Sequence, residues 1–307
     1  IYQCDWSSVV CSSNLWTCAA VMVVAGLVAI AAVAKALPRL HGPETGPAHY
    51  FSGFVREMVE LSRNRSFLTL FGTVLVYFLA YSAHVSLALH ASRYFWKLDT
   101  TAIQLILLST TLGPVIGAPL SAFALKHIEK RTLSIAAFLA IAGFLIWPPL
   151  VQLYGPAPLP PATAAIVLFV NGLCVGTSIM IGGVGFQSML ADTADEHEWL
   201  FGVRREGLFF SGLTLAYKAA SGLGGLIAGL ALDAIGFPTD LASRGPGFVI
   251  PQEVLNKLAL VSGPLPAAFA ALAPLFLIGY RLTRRRHREI IAGLEARKVQ
   301  GAPGATH

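Results

Sequence analysis

Apolar residues in this chain neither alternate nor fall in narrow stripes; they run on in blocks that polar punctuation separates. Seven such blocks cover approximately residues 17–38, 66–92, 101–125, 132–153, 161–190, 207–235 and 257–283. Crossing a hydrocarbon layer of ~30 Å takes about 20 helical residues, and each block is long enough. Backbone polar groups in hydrocarbon must be satisfied within the segment, which leaves helices as the form such blocks take. The pattern predicts an all-α polytopic membrane protein with about seven transmembrane helices.

Composition agrees, with 55% hydrophobic and 12% charged residues, far from the ~25% charge of a soluble domain. The net charge of +6 raises the question of a nucleic-acid partner, but the basic residues lie between and beyond the blocks as the positive-inside rule would place them. With a cytoplasmic C-terminus, the inside face collects Arg39, Arg56, Arg63, Arg65, Lys126, Lys130, Arg131, Arg204 and Arg205, followed by the tail with Arg281, Arg284, Arg285, Arg286, Arg288, Arg297 and Lys298. Outside remain Arg93, Lys97, Arg244 and Lys257. The bilayer is thus the expected partner, and nucleic acid is not. The tail "RLTRRRHRE" reads as a topology signal, with contact to anionic lipid as the alternative.

Residues 5–15, "DWSSVVCSSNL", resemble "DWSSDVCSSDL", the translation of a common sequencing adapter, so residues 1–15 are expected to be non-native. Cys18 and Cys174 then remain as small apolar side chains within helices, with no disulfide framework implied. The expected organisation is a helix over 16–38, a Pro- and Gly-punctuated cytoplasmic linker over 39–65, a six-helix block over 66–283 and a basic cytoplasmic tail over 284–307. Several blocks carry breaks, such as "TTLGPVIGAP", "SGLGGLIAGL" and "SGPLPAAFAALAP". Gly225 and Gly229 have the spacing of a tight helix crossing.

Lys218 is the charged residue that lies deep within a block, about 16 Å from Gly207 at 1.5 Å per residue. Such a charge costs at least ~2.5 kcal/mol to insert, which makes it a functional candidate by default. Ser211, Thr214, Lys218, Ser221 and Gly225 share one helical face and are expected to look into a cavity. In the second block Thr73, Tyr77, Tyr81 and His84 recur at helical spacing and are expected to line the same cavity. Asn171, Thr177 and Gln187 face either a cavity or a neighbouring helix.

The stretch "ADTADEHEWLFGVRREG", residues 191–207, holds the densest charge in the chain. It lacks the two-His spacing of a zinc site and a G-x-S-x-G elbow, so neither a metal nor an enzymatic nucleophile is expected. Placed between the fifth and sixth blocks, with acids before basic residues, it reads as a charged gate of Asp192, Asp195, Glu198, Arg204, Arg205 and Glu206, whose ion pairs exchange between conformations.

Residues 189–237 closely resemble the segment joining helices 10 and 11 in the glycoside-pentoside-hexuronide cation symporters, the melibiose-permease-like branch of the major facilitator superfamily. The shared elements are A-D-T-x-D with a Glu three residues on, R-x-E-G, and the lysine eleven residues after that Gly. The resemblance implies that the seven blocks match helices 6–12 of a twelve-helix transporter, with the N-terminal half of the same chain missing. It implies a symporter in a bacterial inner membrane that moves a sugar or related solute by alternating access, coupled to Na⁺ or H⁺ and using no other cofactor. Lys218 would couple sugar and cation, and Thr214 would lie beside the sugar. The family's direct cation ligands fall in the missing half. Gly183 stands where melibiose-type members carry a sugar-stacking Trp, and Leu213 where they carry Gln, which argues against a galactoside. Other expectations to weigh are a non-transporting membrane fragment, a family member moving a lipid-like solute, and an intramembrane metal enzyme.

Overall fold

The computed structural model describes residues 61–202, 206–238 and 248–301, together with residues 23–24, 26–28, 30–31 and 35; side chains are described as far as 297. Residues 1–15, most of 16–38 and of the linker, and Arg204 and Arg205 lie outside the described residues. The chain divides into two units at Gly53. In the first, the described residues are helical. The second contains everything below.

Helix α1 (Arg65–His90) starts where the Asn64 side chain accepts from Phe67 N at 3.0 Å, a capping bond that satisfies one orphan donor. It ends in one π turn, Ala91–Phe95. A tight connection, with Lys97 at φ 53°, leads to α2 (Thr100–His127), capped by Asp99. Then follow α3 (Lys130–Tyr154), α4 (Pro161–Phe201) and α5 (Glu206–Ala234). Helices α6 (Gln252–Ser262) and α7 (Pro264–Ile278) form one span interrupted at Gly263. The last helix is α8 (Arg284–Gly301). Among the described residues six helical spans are long and apolar enough to cross a membrane, and their outward positions carry large apolar side chains such as Leu107, Val115 and Phe123. This is the all-α polytopic membrane protein that the pattern predicts.

Three boundaries differ from the sequence expectation. The fifth block does not end at 190: α4 continues through the charged stretch to Phe201, 41 residues in all, and stops at Gly202 in the left-handed region (φ 77°). The stretch is therefore three more turns of helix rather than a connection. The last block is broken, because Pro264 and Pro266 cannot donate to the carbonyls one turn earlier. The tail is a docked helix: Ile290 and Leu294 of α8 are buried in the same core as Phe186, Met189 and Tyr280.

Packing pairs α1 with α5 and α7, α2 with α4, and α3 with α4 and α7. The α2–α4 crossing is a backbone contact, since a Cβ on Gly113 would stand 2.5 Å from Thr177 N, and Gly176 meets the Thr110 carbonyl. Thr177 adds a hydrogen bond to Gly113 O at 3.1 Å. On α5 the close approach uses Gly224, against Ser82 and Leu79 of α1. Gly225 and Gly229 have nothing within 4 Å among the described residues, so the close crossing within this bundle does not use them. Spacing alone identified a pair of glycines one position off the packed face, which runs Gly212, Leu213, Ala216, Ala220, Gly224, Ala228.

Candidate solute cavity and charged cluster

Polar side chains gather at two places. The first is the end of the bundle where α4 outruns its apolar part. Asp192 and Asp195 are buried there, on the face of α4 turned towards α3 and α8. Lys130, at the start of α3, places Nζ 2.6 Å from Asp192 Oδ2. His287 of α8 places Nε2 2.9 Å from Asp195 Oδ2 and 3.6 Å from Asp192 Oδ1. Burying two carboxylates is costly unless they are paired and hydrogen-bonded, and these pairings let the helix continue past its apolar segment.

Around this centre α8 is fixed at several further points. The Arg284 guanidinium donates to the carbonyls of Leu125 and Ile128 and lies 3.7 Å from Glu129, holding the α2–α3 connection. Arg297 stacks 3.7 Å from the centre of the Trp199 ring and donates to Trp199 O at 3.0 Å. Tyr280 is almost wholly buried and donates to Met189 O at 3.1 Å. Burial pushes its hydroxyl well above the usual tyrosine range, so it stays a neutral donor.

Of the residues expected to form a gate, Asp192 and Asp195 are at the centre of this cluster. Glu198 lies half-buried on the same helix, and Glu206 is exposed in the first turn of α5, where a negative charge suits the helix N-terminus. The described basic side chains that meet the two aspartates are Lys130 and His287. The sequence reading counted Lys130 only as a topology signal and passed over His287 as part of a basic tail.

The second place is a cavity of about 520 Å³ in the other half of the bundle. It lies between two apolar cores, one containing Tyr77, Ile141 and Leu145, the other Ala91 and Trp96. Its polar lining includes Tyr77, Tyr81 and His84 on α1, Thr110 and Thr111 on α2, and Asn171 on α4, with Ser92 and Ser262 besides. Three of the four predicted α1 residues, Tyr77, Tyr81 and His84, therefore share one wall, and Thr73 is not part of it. Thr73 is fully buried and donates to Thr69 O at 2.7 Å. Gln187 is exposed.

Lys218, Thr214 and Ser211 do not line this cavity. They sit on the exposed face of α5, opposite the residues packed on α1. Thr214 and Ser211 donate to the carbonyls of Phe210 and Leu208 at 2.8 and 2.9 Å, which leaves their oxygen lone pairs outward. Lys218 Nζ lies 5.6 Å from the centre of the Tyr217 ring. Tyr217 meets Phe78 edge-on at 4.6 Å, and Phe78 lies 5.2 Å from Tyr77 and 6.3 Å from Tyr81. The two groups of predicted residues are thus separate surfaces joined by a run of aromatic rings.

The profile of the family described as MFS/sugar transport protein matches residues 13–284. A glucuronide carrier protein homolog of Escherichia coli (strain K12) is 28% identical over 242 residues, which is 78% of this chain and 49% of that protein. The isoprimeverose transporter of Lactiplantibacillus pentosus is 28% identical over 233 residues, 74% of this chain and 41% of that protein. A putative sulfoquinovose importer of Escherichia coli (strain K12) is 30% identical over 112 residues, 36% of this chain and 22% of that protein. The chain spans about half the length, or less, of the curated relatives it matches. Matched over most of its length, with its helices and charged stretch in place, the chain belongs to the MFS/sugar transport protein family, in its glycoside-pentoside-hexuronide symporter-like branch, a family of transporters and not of enzymes.

Proposed function

We propose that this chain supplies the C-terminal part of a cation-coupled secondary transporter that carries a glycoside or related sugar across a bacterial inner membrane. The observation that carries the reading is the polarity of the bundle along its length. One end is closed by buried ion pairs among α3, α4 and α8, and the other half holds a cavity of about 520 Å³ with neutral polar walls. Alternating access needs such an arrangement, with a site towards the middle of the bundle and one end sealed while the other is accessible. The basic residues around the sealed end, Lys126, Lys130, Arg131 and those of α8, support a cytoplasmic C-terminus.

In this reading Lys218 takes part in coupling. Its face on α5 is where the other half of the transporter packs, and a carboxylate from that half, or an anionic solute group, compensates its charge. The relatives named above are a glucuronide carrier protein homolog, an isoprimeverose transporter and a putative sulfoquinovose importer, so glucuronides, isoprimeverose and sulfoquinovose form the first panel.

The test is uptake of that panel, radiolabelled, into cells expressing the intact transporter, with and without a Na⁺ or proton gradient. Gradient-dependent uptake of at least one sugar is expected, and Lys218→Ala should abolish coupled uptake while membrane abundance stays unchanged. Failure of the wild type to move any of them would sink the sugar assignment. Gradient-driven uptake by the Ala variant at the wild-type rate would remove Lys218 from coupling.

A further inference from the structure

We propose that His84 and Asn171 form the polar recognition pair of the cavity, with His84 Nε2 accepting a hydrogen bond from a hydroxyl of the solute and the Asn171 amide donating to a second oxygen. The ligand class this selects is a neutral polyhydroxyl moiety: the ring of a sugar rather than its charged substituent. The inference rests on the transporter reading and assigns roles within its cavity.

The argument begins at the α6–α7 break. Within an unbroken helix the Ser262 carbonyl would accept from residue 266, but residue 266 is Pro and has no N–H. Gly263 O already accepts from Ala267 N at 3.0 Å, so Ser262 O is left with no partner from its own helix. His84 Nδ1 reaches it at 3.1 Å. A carbonyl only accepts, so Nδ1 must carry the proton, and in the neutral ring Nε2 is then an acceptor. The proline therefore determines the tautomer of a histidine on a different helix. His84 lines the cavity, and with Nδ1 engaged on Ser262 O the acceptor at Nε2 is the ring atom left to meet the cavity contents.

The same reasoning orients Asn171. Trp147 Nε1 lies 2.8 Å from Asn171 Oδ1. An indole nitrogen only donates, so the oxygen of the amide is identified by its partner and the NH₂ group is turned away from Trp147. Asn171 also lines the cavity. Thr110 and Thr111 spend their hydroxyl protons on Ile106 O and Leu107 O, so the NH₂ of Asn171 is the donor that α2 and α4 present. One fixed acceptor on α1 and one fixed donor on α4 match a sugar, whose hydroxyls both donate and accept.

Two histidine substitutions separate this role from a structural one. Asn at 84 keeps a donor at the position of Nδ1, and so the bond to Ser262, but removes the acceptor. Gln keeps an acceptor at the position of Nε2 and loses the Ser262 bond. KM and maximal rate are measured for radiolabelled isoprimeverose and methyl β-glucuronide in the intact transporter, normalised to membrane abundance. The expectation is that His84→Asn raises KM roughly tenfold, the loss of one hydrogen bond, with the maximal rate within about twofold, while His84→Gln stays within about threefold of wild-type KM. Asn171→Leu should raise KM by a similar factor. The reverse order of the two histidine variants, equal loss in both, or no loss in either overturns the proposal. Wild-type failure on every sugar instead overturns the transporter reading beneath it.

Discussion

The two polar regions of this bundle are built on opposite principles. At the charged end the side chains are buried and meet one another: Lys130 lies on Asp192, and the His287 imidazole lies against Asp195 and Asp192. In the cavity the polar groups are neutral, and His84, Thr110 and Asn171 each use one atom on the protein's own backbone or indole while leaving another to offer. Pairing one buried side chain with another gives a contact that is strong in one arrangement and lost in another, which suits a closure. Half-pairing gives groups that are held in place yet still have a bond to offer, which suits recognition. The difference lies in what each polar group is paired with rather than in polarity alone.

The sharpest way to break the contrast is to remove a charge from the charged end. Asp192→Asn leaves Lys130 without its carboxylate, and because the pair is mostly buried we expect a loss of about 3 kcal/mol, read as a lower melting temperature in detergent. Adding Lys130→Met should recover most of the loss; if the double variant is no more stable than the single, the pair is not what holds the two helices.

Next in size is the crossing that both regions depend on. Gly113→Val forces a side chain into the α4 backbone and should cost about 2 kcal/mol, while narrowing the cavity between Thr110 and Pro114. Gly225→Ala, at a position with nothing within 4 Å among the described residues, should be neutral or slightly stabilising when this chain is measured by itself. A third change, Arg297→Ala, removes the stacking on Trp199 and should cost about 1 kcal/mol with no change in KM for the solute, since it acts at the closed end alone. The smallest expected effect is that of Trp147→Phe. Stability should fall by about 0.5 kcal/mol, but the freed Asn171 amide can turn over, so KM should rise a few-fold. A KM that does not move would show that the indole does not orient the amide.

The sequence made the spans legible because a run of about 20 apolar residues is a one-dimensional signal. It misplaced the end of α4 because what keeps residues 191–201 helical is tertiary: the apolar pattern stops, but Asp192 and Asp195 are matched by Lys130 and by His287, which comes from a helix more than eighty residues further on. Tyr77, Tyr81 and His84 could be grouped from spacing because they share a helix face. Their separation from Lys218 could not, since it depends on which face of α5 packs on α1, and the small residues of α5 occur on both faces. Asn171 was visible as a polar residue, but the direction of its amide depends on Trp147, 24 residues earlier, and the tautomer of His84 on a carbonyl 178 residues later.

The length of α4 has a mechanical consequence. Asn171 and Asp195 stand on one uninterrupted helix, roughly 36 Å apart at about 1.5 Å per residue. A rod of that length is a lever: a tilt of only ~5° about the Asn171 end displaces Asp195 by roughly 3 Å, enough to take its 2.9 Å contact with His287 beyond hydrogen-bonding reach. A small rotation of α4 imposed near Asn171 would therefore reach the far end as a displacement of Asp195, without any signal having to pass from side chain to side chain.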